Sequence, residues 1–115
     1  MEPPAGDLFP RPAPTCPALR AAPARVVPDR LPGFRADRDT AFTRATETGA
    51  SGPVKDFQLK WATVIEIERR PPLVHRMREA RRRLHTLDRV DPGRRAAMGE
   101  FLAVHDEARA ASGGR

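Results

Sequence analysis

Three histidines, one cysteine and two glutamates set two apart are the residues of this 115-residue chain that could hold a metal or move a proton. His75 and His85 are ten residues apart and fall on different faces of a helix. His105 stands alone on an apolar face, where a histidine is far more often a hydrogen-bonded packing residue than a ligand. No HxxxH or HExxH occurs and Cys16 has no nearby partner, so the spacing a zinc site needs is absent. Glu66 and Glu68 lie about 160° apart around a helix and cannot flank one bond together. Surface solvation is expected for Glu66. Glu68 is expected at an exposed helix end or in an ion pair with an Arg from another helix. There is no G-x-S-x-G, no glycine-rich phosphate loop and no GK[ST]. The residues predict a protein that is not an enzyme and uses no cofactor or metal.

Arginine is the chemistry that remains. The formal charge is +6, and nineteen of the twenty-one basic residues are Arg. Arg76, Arg78, Arg81, Arg82 and Arg83 crowd around Glu79, and Arg89, Arg94 and Arg95 follow. A surface of Arg76, Arg81, Arg82, Arg83, Arg89, Arg94 and Arg95 could neutralise phosphates, giving binding that falls steeply with salt. Against this, Arg78, Arg82 and Arg83 do not share one face and no aromatic residues interleave for base stacking. An excess of Arg with so much Ala and Pro also follows from GC-rich codons. A solvated helix surface is the favoured reading and nucleic-acid binding the alternative.

The elements that position these residues are read from hydrophobic spacing. Residues 1–16 hold five prolines and no periodic apolar pattern, which predicts a disordered tail. Pro17–Val27 starts like a helix but carries Pro23 in its middle, so a broken turn or two is expected, with Leu19, Val26 and Val27 docked on the body. Pro28–Gly49 places Phe34, Ala41, Phe42 and Ala45 on one face, with Arg38 laid along it and Gly49 ending the helix in the left-handed conformation.

Pro53–Arg70 is the central amphipathic helix. Val54, Phe57, Trp61, Val64 and Ile65 fall on one arc, while Lys55, Asp56, Thr63, Glu66 and Arg70 point away. The following prolines stop it. Leu73–Leu87 carries a two-heptad seam of Leu73, Met77, Ala80, Leu84 and Leu87. Asp91 caps Pro92–Ala111, whose buried side is predicted as Met98, Phe101, Leu102, His105 and Ala108.

These stretches predict an all-α fold, a small bundle of three main helices plus a short broken N-terminal helix. The expected organisation is a Pro-rich tail at 1–16, a helical domain at 17–112 and a frayed end at 113–115. The expected core is Phe34, Phe42, Phe57, Trp61, Ile65, Leu84 and Phe101. No apolar run approaches the ~20 residues of a membrane span. MEPPAGDLF lacks the positive and apolar regions of a signal peptide, and the lone Cys16 excludes an intrachain disulfide. A cytoplasmic location is therefore expected.

PDRLPGF, AFTRATETG, WATVIEIERRP and LDRVDPGRRAAMGEF together resemble a family of small, uncharacterised helical proteins of high-GC bacteria. The resemblance runs from about Leu19 to Ala111, and WATVIEIERRP is its most distinctive stretch. Relatives carry an aliphatic residue near Pro23, which implies a more broken first helix here. Some members look like the antitoxin half of a two-gene module. The resemblance thus implies a regulatory, antitoxin-like role, with no activity to carry onto these positions. A non-catalytic protein that binds a protein partner is the function expected, with a homodimer through the Leu73–Leu87 seam as one form of it.

Overall fold

The first two long apolar-periodic stretches end where the sequence cannot continue a helix, at Gly49 and at Arg70 before Pro71. The computed structural model describes residues 7–13, 18, 19, 21 and 28–113. A single 3-10 turn, Pro28–Arg30, leads into α1 (Leu31–Thr48), α2 (Gly52–Arg69), α3 (Pro71–Thr86) and α4 (Pro92–Ala111). The all-α bundle agrees with the sequence, but among the described residues the long helices number four rather than three.

Gly49 closes α1 at φ 69°. This is the left-handed region, which glycine enters without a side-chain clash. Arg70 adopts extended geometry before Pro71, and Pro71 and Pro72 then occupy the first turn of α3. Asp91 caps α4 by accepting the backbone N–H of Gly93 at 2.7 Å, which satisfies one of the donors left free at a helix start. Ser51 precedes α2 without a side-chain capping bond.

Helix α2 is the centre, with α1 against one side and α3 and α4 against the other. Two apolar clusters result. In the first, Phe34 and Ala41 of α1 pack on Phe57, Trp61, Ala62 and Ile65 of α2, with Leu19 and Phe9 closing its end. The rings of Phe34 and Trp61 meet edge to face at 5.3 Å, an arrangement that the ring quadrupoles favour. In the second, Ile67 of α2 packs with Leu73 and Met77 of α3 and Val104 and Ala108 of α4.

Part of the expected core is displaced. Phe34, Phe57, Trp61 and Ile65 are buried, and Leu84 and Phe101 are half-buried. Phe42 is 46 % exposed. It lies about 80° around α1 from Phe34. Among the long helices α1 has only α2 for a neighbour, so only a narrow face is covered. On α4 the buried residues are Ala97, Val104 and Ala108, whereas Met98 and Leu102 face outward. The Leu73, Met77 and Ala80 seam is consumed inside the bundle and is not free for a second copy.

Of the N-terminal readings, Ala18, Leu19 and Ala21 are helical and Leu19 is fully buried as expected. Cys16, Val26 and Val27 lie outside the described residues. The described part of the Pro-rich stretch, residues 7–13, has neither helix nor strand, and it lies against α2. At the other end Ser112 and Gly113 form a turn, with the Ser112 hydroxyl donating to Ala62 O at 3.2 Å. Gly114 and Arg115 lie outside the described residues.

Candidate functional site: a buried carboxylate and an open apolar groove

Two places hold polar or apolar groups that local structure alone does not explain. The first is Glu66. Periodicity places it in solvent, but it is 1 % exposed. The reason is the position of α2. Glu66 lies about 140° around the helix from Trp61, and α2 has neighbours on more than one side. Thr63 is buried for the same reason.

A buried carboxylate must be neutralised, and Glu66 is. Arg69 donates to both its oxygens at 2.6 and 3.0 Å, and Arg11 donates in the same forked fashion at 2.9 and 3.0 Å. Such two-pronged pairs are the strongest hydrogen bonds a carboxylate makes. Burial pushes the Glu66 carboxyl up, and the hydrogen bonds from Arg11 and Arg69 more than offset this, holding it at about 2. Arg69 in turn donates to Phe9 O and pairs with Asp7, both at 3.2 Å, and its carbonyl accepts Leu8 N–H at 2.7 Å. Through Arg69 and Arg11, Glu66 therefore anchors residues 7–11 to α2. Glu68 pairs with Arg30 at 3.3 Å, in line with one of its two expected readings.

The second place is the loop between α3 and α4 and the outer face of α4. Arg89, Val90, Arg94, Arg95, Met98 and Leu102 line an open groove of about 710 Å³. Val90 is 91 % exposed, Met98 42 % and Leu102 53 %. Three of the five large exposed apolar side chains among the described residues thus sit in one stretch of thirteen. Contiguous apolar exposure of this kind marks contact surfaces.

The seven arginines read as a phosphate surface are not equivalent. Arg76 bridges α3 to α4, donating to Glu100 and to Glu107, and Arg82 pairs with Glu79 on its own helix. Arg83 approaches Glu79 at 3.9 Å. Arg94 donates to the carbonyls of Leu84 and Leu87, satisfying acceptors that the end of α3 leaves free. Arg81 lies over the ring of Phe101 at 5.8 Å, where the ring face attracts a cation. Arg89 and Arg95 are exposed at the groove and pair with no carboxylate among the described residues. Of the seven, they are the two that stand together without a partner.

His75 and His85 are exposed, and His105 is half-buried with Nδ1 3.1 Å from Phe101 O. Among the described residues no group of three or more His, Cys, Asp or Glu could hold a metal. No helix among the described residues is long and apolar enough to cross a membrane. Compared with protein-family models, curated proteins and solved structures, the chain matches none of them.

Periodicity hides the groove, because it assigns Met98 and Leu102 to the core. The usable signal is local. Ala97, Val104 and Ala108 form an alternative stripe of small residues on α4, and small residues let two helices approach closely.

Proposed function

We propose that the chain is a non-catalytic helical binding protein that acts through protein–protein contacts at the outer face of α4. The observation that carries this reading is the exposure of Val90, Met98 and Leu102 together in one groove with Arg89 and Arg95 beside it. Interfaces combine an apolar centre with a polar rim, and Arg is enriched in them. A regulatory, antitoxin-like role is the form such binding takes under the resemblance described above. In a tagged pull-down from host lysate treated with nuclease and moderate salt, a defined protein is expected to remain with the wild type. It is expected to be lost with Leu102→Glu. Equal retention by both would place binding elsewhere.

The unpaired state of Arg89 and Arg95 supports a second reading, nucleic-acid binding. Under it, neutralising Arg81, Arg89 and Arg95 lowers the slope of log affinity against log salt by about 3. An affinity that does not change with salt removes this reading.

A further inference from the structure

The outer face of α4 reads Arg95, Met98, Gly99, Leu102, Asp106 and Arg109, which recur at helical spacing along one side. All six are exposed, on a face that the bundle leaves open. Gly99 stands inside a twenty-residue helix, where glycine weakens the element. A Cβ built there would meet nothing within 4 Å, so packing within the chain does not require glycine at this position. Flanked by Met98 and Leu102, it forms a notch beside two exposed apolar side chains.

The charges on this stripe are balanced and ordered. Arg95 stands seven residues before Leu102, and Asp106 stands seven residues after Gly99. Both are exposed, and neither has an ion-pair partner among the described residues. An antiparallel copy of the same helix, related by a two-fold axis between positions 99 and 102, sets Leu102 into the notch at Gly99 of the partner subunit. The same axis sets Arg95 against Asp106 of the partner subunit, and symmetry repeats both contacts. Arg109 then comes beside Asp91 of the partner subunit. A parallel copy sets Arg95 against Arg95 and Asp106 against Asp106, which charge repulsion disfavours. A purely acidic partner meets Asp91 and Asp106 on the same face and is matched less well.

We propose that the occupant of this face is a second copy of the chain, docked antiparallel through α4. The proposal rests on the reading of this face as a protein-binding surface and names its partner. Sedimentation of the full chain from micromolar to hundreds of micromolar concentration tests it. The wild type is expected to sediment as a dimer. Arg95→Asp or Asp106→Arg alone is expected to weaken dimerisation by about tenfold or more. The double variant, which reverses both members of each pair, is expected to restore it. Leu102→Glu is expected to give a monomer with the helicity of the wild type by circular dichroism, since the side chain is half exposed.

A wild type that is monomeric throughout overturns the second-copy proposal. If such a monomer still captures a defined protein that Leu102→Glu loses, the wider binding reading stands. A dimer indifferent to all of these substitutions overturns the proposal and removes the α4 face from it.

Discussion

Glu66 and Glu100 both accept hydrogen bonds from arginine across more than twenty residues of chain, yet only Glu66 is out of water. Around Glu66 two guanidinium forks fill both oxygens, and the side chain has no exposed surface. Around Arg76 the two carboxylates of Glu100 and Glu107 and the guanidinium itself are each more than a third exposed. Water can replace a lost partner at the second site and cannot at the first. The same pair of groups therefore ties the fold together in one place and decorates it in the other.

Removing Arg69 is the most direct way to break this comparison. Arg69→Ala leaves a buried carboxylate with Arg11 as its main counter-charge, and a loss of about 3–5 kcal/mol in urea unfolding is expected. A loss below about 1 kcal/mol, the range of exposed pairs, would mean that water reaches Glu66 and that the two networks do not differ in kind.

Acid separates the two networks without truncating a side chain. The Glu66 carboxyl is held at about 2 in the folded chain, against an ordinary value of 4.5. A depressed native value means that its contribution is fully present above about pH 4.5 and is lost as the pH falls toward 2. Its magnitude is on the order of 2–3 kcal/mol. Unfolding free energy measured down this range is expected to drop in the wild type, and Glu66→Gln is expected to flatten that part of the fall.

Arg11→Ala sharpens the comparison at a half-exposed partner. About 1–3 kcal/mol is expected, from the loss of charged hydrogen bonds to Glu66. Faster proteolytic cleavage within residues 7–13 should accompany it. Arg76→Ala has the smallest expected effect, at most ~1 kcal/mol and reduced further by salt.

The features legible in the sequence are those fixed by one or two neighbouring residues. Gly49 stops α1, Arg70-Pro71-Pro72 separates α2 from α3, and Asp91 caps α4, each where the residue type requires it. Trp61 and Ile65 are readable because α2 has a strong stripe facing α1. Glu66, Phe42, Met98 and Leu102 are not, because their exposure depends on how many helices surround each one. A periodicity argument assigns one buried face to every helix. Helix α2 has more than one, and α1 has a narrower face than its apolar residues suggest. The link between Glu66 and Arg11 spans 55 residues, and no spacing rule connects them. The candidate groove is hidden for a related reason, since Met98 and Leu102 look like core residues until Ala97 and Val104 are seen to fill that role.

The links between helices are three residues at 49–51, one at Arg70 and five at 87–91. Consecutive helices therefore find one another across short loops, and little loop entropy is lost before their apolar faces meet. A chain whose contacts are mostly between sequence neighbours belongs to the low-contact-order class, which folds in microseconds to milliseconds. The contacts between more distant parts are those of α2 with α4 and those of the segment around Arg11, which is separated in sequence from its partner by the whole of α1. Closing that 55-residue separation costs more loop entropy than any of the short links, so the amides of residues 7–13 are expected to exchange before those of the helices.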